Sequence, residues 1–339
     1  MRTPAEEGFK MPAEWAPHRR CWMAWPCREA VWGEAIEDAR RAYAEVATAI
    51  CRFEPVTMIV RPDLAASVSL HCSQPGISVL PLPHDDSWTR DTGPTFLVDG
   101  QGNLAGVDWT FNGWGNVHPE HAEDARMAER ILEHVGARRF ACDLVMEGGG
   151  VHVDGEGTGL VCAQSVLDPR RNPGLSREAA ETVLKAHLGL DKLIWLEEGL
   201  LGDETAGHVD NLACWARPGV VIAAVADDVD DENYPILRRN LEVLRAATDA
   251  KGRTLEVLTL PIPRPRQGRD GRRLTLSYVN FYLANGAVIL PAFDDPADKI
   301  AYRTLAAAFP DREPVQVEAL AILEGGGGIH CITQQQPEP

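Results

Sequence analysis

Apolar positions along this chain switch between two periods in a regular order. Residues recurring every three to four positions predict helices over 31–53, 120–136, 176–189, 232–248 and 297–309. The last, ADKIAYRTLAAAF, opens behind Asp294, Asp295 and Pro296, which are helix-start signals. After each helix comes a short β-rich run: VTMIV (joined later by ISVLPL), RRFACDLV, KLIWLEE, TLEVLTLPI and PVQVEALAIL. A hairpin usually follows, most clearly in SYVNFYLA–NG–AVILPAF, where Asn285-Gly286 is a strong two-residue turn signal. One unit of helix, strand, polar motif on a second strand, and third strand thus recurs five times. The last unit runs out at IHCITQQQ, and the early segment RRCWMAWP, about residues 20–26, would supply the missing strand and close a ring.

The polar motifs fall on the same beat of each unit: DDSWTRD (85–91), EGGGVHVD (147–154), GHVDN (207–211), SYVN (277–280) and GGGGIHC (325–331). In a closed pseudo-fivefold ring such positions converge near the axis, so residues distant in sequence would share one pocket. EGGG at 147 and 324, and HVD at 152 and 208, are echoes in matching phase. The segment PIPRPRQGRDGRR (261–273) is expected to be a solvated, mobile loop between strands, within reach of the ring mouth.

Composition narrows the functions open to such a ring. The 339 residues carry 33 Lys and Arg against 50 Asp and Glu, a formal charge of −17. That balance argues against nucleic acid as the main partner and would help attract a small cation. The N-terminus has no apolar run of the signal-peptide kind, and no stretch approaches the ~18 apolar residues of a membrane helix. Eight cysteines scattered without CxxC spacing look like reduced thiols, which fits a cytoplasmic protein.

Among these cysteines Cys331 stands apart because four glycines, Gly325–Gly328, precede it. Glycine runs cost backbone entropy and add no packing, so the backbone there must approach something closely or turn sharply beside a thiol. A buried core cysteine is the alternative. With His208, Asp210, Glu147 and Asp91, Cys331 would make a set suited to a planar cation. Two carboxylates grip a guanidinium through paired charge-assisted hydrogen bonds, and a thiolate above the plane can attack its central carbon. A free thiol titrates near ~8.5, so a bound cation or a protonated histidine must favour the thiolate. His208 is suited to give a proton to departing ammonia and take one from water. Asp91 could equally cap its turn, and Trp88 could be plain core or stack on a cation. On strands, His208 and Asp210 would share one face; His152 and Asp154 have the same spacing, which does not choose between the pairs. His330 should point away from Cys331. No HExxH or CxxC string supports a metal site.

The strings MPAEW, WMAWP, DDSWTRDTGPTF, EGGGVHVDGEGT, ETAGHVDN, SYVNFY and GGGGIHCITQQQP resemble, in order and along almost the whole chain, the agmatine deiminase family of the guanidine-modifying pentein superfamily. The resemblance implies a five-bladed pseudo-symmetric α/β propeller of ββαβ-type modules, with 1–339 a single catalytic domain. It also implies hydrolysis of agmatine to N-carbamoylputrescine and ammonia without metal or organic cofactor, and a homo-oligomer. By motif, Cys331 corresponds to the nucleophile, His208 to the general acid/base, and Asp91 and Asp210 to the guanidinium-holding carboxylates. Glu147 corresponds to the acid supporting guanidinium and histidine, with Trp88 at the pocket wall and His152 structural. Two departures stand out: a shorter segment after WMAWP, and Gly328 where asparagine is common. Both bear on the region that reads the substrate tail. Deimination of peptidyl-arginine or arginine therefore stays open, as does, from another class, a non-catalytic propeller that binds a macromolecular surface.

Overall fold

The computed structural model describes residues 2–339. Its strands, numbered in chain order, are β1 His18–Ala24, β2 Val56–Val60, β3 Ile77–Pro81, β4 Thr95–Val98, β5 Leu104–Thr110, β6 Arg138–Val145, β7 Val151–Val153 and β8 Thr158–Cys162. They continue with β9 Lys192–Leu196, β10 Ala213–Arg217, β11 Val220–Val225, β12 Glu256–Pro261, β13 Tyr282–Ala284, β14 Ala287–Ala292, β15 Glu313–Glu318 and β16 Gln334–Pro337. The five longest helices are α1 Ile36–Ile50, α2 Met127–Val135, α3 Arg177–Leu188, α4 Tyr234–Ala246 and α5 Asp298–Ala308.

Four sheets share one connectivity: β4-β5-β6, β7-β8-β9, β10-β11-β12 and β13-β14-β15. In each, the first two strands form an antiparallel hairpin and the third runs parallel to the second. A parallel partner cannot be reached by a tight turn, so a helix crosses over, respectively α2, α3, α4 and α5. The fifth sheet is split between the chain ends. β16 pairs antiparallel with β1, with Trp22 opposite Gln334, and α1 leads to the parallel β2. β3 extends this sheet to four strands, β16-β1-β2-β3. The result is a five-bladed α/β propeller.

The expected hairpin is present: Ala284 pairs with Ala287 across Asn285-Gly286, and Gly286 takes the positive φ of 83° that the turn needs. Asn285 also binds His18 through both ends of its amide (2.9 and 2.7 Å), fastening this blade to β1. A large apolar core runs from Met23 and Met58 through Trp215 and Ile222 to Ile289 and Leu290.

Two local expectations need correction. The predicted helix 120–136 contracts to α2. Before it, Asp85 accepts from the backbone of Glu123 and Asp124, and Asp124 accepts from that of Asp85 and Asp86. These reciprocal carboxylate bonds satisfy the backbone without a helix. The polar motifs were expected on strands. They mostly occupy tight turns instead: Thr89–Thr92 is one α-turn, Gly148–Gly150 and Val209–Asn211 are 3-10 turns, and residues 277–281 and 329–331 precede β13 and β16 as loops. Every motif therefore leads into the first strand of a blade.

Candidate active site

The five motif turns are hydrogen-bonded into a closed circuit. The Arg90 backbone N–H donates to the Cys331 carbonyl (3.1 Å), and Gly149 donates to Asp91 Oδ1 (3.0 Å). His208 Nε2 meets Glu147 Oε2 at 3.2 Å, and Asn280 Nδ2 lies 3.0 Å from Asn211 Oδ1. The same Asn280 nitrogen returns to Cys331 Sγ at 3.2 Å. Residues up to 241 positions apart in sequence are thus neighbours because each sits at the same place in its blade.

Glycine 149 shows how tightly the charged groups converge. A Cβ added there would stand 2.6 Å from His208 Nδ1 and 2.9 Å from both Asp210 Oδ2 and Asp91 Oδ1. His208 Nδ1 also lies 3.6 Å from Asp91 Oδ1, and His208 is fully buried. Burial opposes its charge, but Asp91, Glu147 and Asp210 outweigh that and raise its pKa to about 9. Burial raises the Asp91 pKa, His208 offsets part of this, and Asp210 and Glu147 add to it. For Glu147 the order is reversed. Burial disfavours its charge, yet Arg171, with two contacts at 2.9 and 3.0 Å, and His208 hold it below the usual carboxylate range. Asp210 is likewise held low against burial, chiefly by His330. Asp210 Oδ1 and His208 Nδ1 are buried without a hydrogen-bond partner among the described residues.

Cys331 Sγ lies 3.5 Å from Asp210 Oδ2. Burial, then the charges of Asp210 and Asp91, push its pKa well above the usual thiol value. Alone, the site keeps a neutral thiol. A cation between the two carboxylates would cancel the charges that hold the proton.

The glycine run before Cys331 has a steric cause. A Cβ at Gly325 would overlap the Trp32 ring, one at Gly327 would come 2.6 Å from the Trp88 ring and 3.0 Å from Cys331 Cβ, and one at Gly328 would overlap the Asn280 amide. Trp32 and Trp88 stack at 5.7 Å, so the Gly325–Cys331 turn packs closely on an aromatic pair. Gly328 thus stands where the chain passes closest to the amide that contacts the thiol.

Of this cluster, Asp91 and Cys331 line a cavity with about 330 Å³ of empty space, whose wall also includes Trp88, Trp114, Glu204 and Gly326, and His208, Asp210 and Glu147 lie buried behind them. Trp114 holds a left-handed backbone (φ 57°, ψ 45°) between two positive-φ glycines and donates its Nε1–H to Asp91 Oδ2 at 2.9 Å. Glu204 is flanked by His118 at 3.6 Å and by Arg272. Arg272 belongs to the 261–273 loop, which does reach the mouth. The loop is fastened to its surroundings by Arg264–Asp295 (2.9 Å), Arg269–Asp38 (2.9 Å) and Arg273–Asp231 (2.7 Å).

All five residues singled out in the sequence lie in this cluster, and Trp88 lines its wall. Asp154 lies apart, bonded to its own turn at Glu156 and Thr158 (2.8 Å each). His152 accepts from the Trp215 backbone N–H at 3.3 Å and faces Glu14 at 3.5 Å. Strand alternation placed His330 on the far face. The segment is a turn rather than a strand, and the His330 ring joins the network at 3.0 Å from Asp210. Sequence reasoning missed Asn280, Trp114, Arg171 and Glu14. Asn280 ended a quoted motif and Glu14 sat in MPAEW, so position was a signal for both. Arg171, 24 residues past Glu147, carried none.

A five-bladed α/β propeller that gathers a cysteine, a histidine and three carboxylates at its centre has the architecture of the guanidine-modifying class of α/β propellers. Residues 10–337 match the family described as Porphyromonas-type peptidyl-arginine deiminase. A putative agmatine deiminase of Legionella pneumophila is 47% identical over 338 residues, covering 99% of this chain and 97% of the relative. The agmatine deiminase of Stutzerimonas stutzeri is 45% identical, covering 99% and 98%. Among solved structures, that of Enterococcus faecalis agmatine deiminase superposes with a TM-score of 0.96 at 34% identity, covering 100% of this chain and 98% of its own. The chain belongs to the agmatine deiminase family.

Proposed function

We propose that the chain is a cysteine-dependent deiminase that hydrolyses agmatine to N-carbamoylputrescine and ammonia. The observation that carries this reading is the convergence of Asp91, Asp210 and His208 on Gly149, with Cys331 Sγ 3.5 Å from Asp210. Asp91 and Asp210 bind the guanidinium plane, Asp210 through its unpartnered Oδ1. Their charges are then shared with the substrate, and Cys331 loses its proton to solvent. The thiolate attacks the guanidinium carbon while protonated His208 gives its proton to one terminal nitrogen, which leaves as ammonia. The resulting thiouronium is attacked by water as neutral His208 takes the water proton. The carbon–sulfur bond breaks, which returns the thiolate, and the remaining hydroxyl proton passes to solvent, which leaves the urea oxygen. Glu147, itself charged through Arg171, keeps His208 oriented throughout and protonated until ammonia departs. Trp88 walls the guanidinium site.

Agmatine is favoured over a peptide by the mouth of the cavity. Glu204 there, flanked by His118 and Arg272, adds a carboxylate for a distal ammonium to a cavity of about 330 Å³. An agmatine deiminase from C. jejuni has been solved as a cysteine-to-serine variant with substrate bound, at 28% identity and a TM-score of 0.88. That supports the assignment of a cysteine to the chemistry. The same reading treats 1–339 as one catalytic domain, active in the cytoplasm as a homo-oligomer without cofactor. Its product lies one carbamoyl hydrolysis from putrescine, which would make it a source of polyamine precursor. Among the described residues no helix is long and apolar enough to cross a membrane.

Ammonia release from agmatine, arginine and a peptidyl-arginine mimic, for the wild type and Cys331→Ala, tests the proposal. Turnover of agmatine alone, lost in the variant, is the expected result. Turnover by Cys331→Ala would overturn the mechanism, and preference for another guanidine would overturn the substrate.

A further inference from the structure

A second charged cluster lies behind the site, and the steps above do not use it. Glu14, from the segment MPAEW ahead of β1, is 3% exposed, so its charge must be balanced mainly by neighbouring protein groups. Its Oε1 lies 2.8 Å from His330 Nε2 and 3.4 Å from Arg90 Nη1, and its Oε2 lies 3.5 Å from His152 Nε2. The opposite nitrogen of the same imidazole, His330 Nδ1, lies 3.0 Å from Asp210 Oδ2. A ring with a carboxylate oxygen against each nitrogen can satisfy both only as an imidazolium, because neutral imidazole has one N–H to give. His152 differs: its Nδ1 accepts from the Trp215 backbone, which leaves its own proton on Nε2, toward Glu14. The buried groups then balance, with Glu14 and Asp210 negative and Arg90 and His330 positive. The His330 backbone N–H donates to Asn280 Oδ1 at 2.9 Å, the His152 ring stacks at 6.4 Å, and the Cys331 thiol lies beyond Asp210.

This arrangement reaches the reacting sulfur in three contacts, Glu14 to His330, His330 to Asp210, and Asp210 Oδ2 to Cys331 Sγ at 3.5 Å. Arg90 completes it by donating from its backbone to the Cys331 carbonyl (3.1 Å) and from Nε to the His330 carbonyl (3.3 Å). We propose that Glu14 is a positioning residue that, through a His330 imidazolium, keeps Asp210 charged and aimed at the guanidinium beside Cys331. The inference rests on the deiminase reading and adds a fixed ion chain to it. Burial and Arg90 oppose the charge on His330, and Glu14 and Asp210 outweigh them, consistent with that assignment.

The test is Glu14→Gln, which keeps an acceptor oxygen and the side-chain volume and removes only the charge. With agmatine, kcat/KM should fall at least about tenfold, in line with the cost of small misplacements of reacting groups. The loss should deepen as pH rises, because His330 then surrenders the proton that held Asp210. Glu14→Asp, which restores the charge on a shorter arm, should recover part of the activity. A purely structural role would lower the melting temperature and reduce activity by the same factor at every pH; that result would overturn the proposal, as would wild-type kinetics in Glu14→Gln. Should Glu14→Gln not fold, 15N NMR of the wild-type His330 ring decides the matter. Two protonated nitrogens at pH 8 are expected, and a neutral ring would overturn the proposal. Failure of the deiminase reading is distinguishable, because the wild type itself would then release no ammonia from any guanidine.

Discussion

Replacing Gly149 by alanine asks whether the three charged groups meet where the geometry puts them. Gly149 is not among the positive-φ glycines, so alanine imposes no backbone penalty of that kind. The new methyl would fall about 0.5 to 0.8 Å inside the 3.4 Å at which ordinary contact begins, against Asp210 Oδ2, Asp91 Oδ1 and His208 Nδ1. The three side chains are buried and bonded on their far sides, so they yield only by losing those bonds. Displacements approaching 1 Å at reacting groups cost about a hundredfold, or about 2.7 kcal/mol of transition-state stabilisation. We therefore expect kcat/KM for agmatine to fall by at least about two orders of magnitude, with KM raised as well as kcat lowered. Steady-state ammonia release should be measured beside a thermal melt, to separate this effect from unfolding. A folded Gly149→Ala protein with wild-type kcat/KM would refute the reasoning, since the carboxylates and histidine could not then converge on that point.

Two further expectations follow from the charges. Because Asp91 and Glu147 raise His208 above its unfolded value, its charged form stabilises the fold fully below about pH 6.5, and that contribution fades as pH rises through about 9. Above about 9 kcat/KM should also fall, for want of the acid that protonates departing ammonia. A pH–rate profile together with urea midpoints at pH 7 and 10 checks both, and Asp91→Asn should move the His208 titration, followed by NMR, to lower pH. Arg171→Met removes the buried partner of Glu147, whose two contacts at 2.9 and 3.0 Å are lost. Leaving that buried carboxylate with His208 as its remaining charged partner should cost up to about 3–5 kcal/mol of stability, read from urea denaturation, and an unchanged midpoint would show that Glu147 does not depend on Arg171 for its charge.

Much of this molecule is legible in its linear order. The alternation of helical and extended periods fixes the repeat, since a helix must follow each hairpin before a parallel strand can be reached. Equal spacing then puts DDSWTRD, EGGG, GHVDN, SYVN and GGGGIHC at equivalent places, and the family resemblance picks out Cys331, His208, Asp210, Glu147 and Asp91. Local rules failed at two motifs. Alternation along a strand was the argument for His208 with Asp210 and against His330, but those segments are turns, whose side-chain directions are set by packing. In the event His208 and Asp210 do converge, and His330 turns inward to Asp210.

What tertiary structure alone decided is which distant groups balance the buried charges. Glu14 lies 316 positions from His330 in sequence, and Asn280 lies 51 from Cys331. Arg171 meets Glu147 only because the segment after β8 returns to the ring centre. A carboxylate's pKa depends on charges within a few ångströms and on exclusion of water, and neither quantity is defined until the blades have closed. The sequence by itself determined the order of the blades and the reactive residue types each carries inward. The closed ring decided which of those residues have their charges balanced, which are held by buried hydrogen bonds, and which line the cavity.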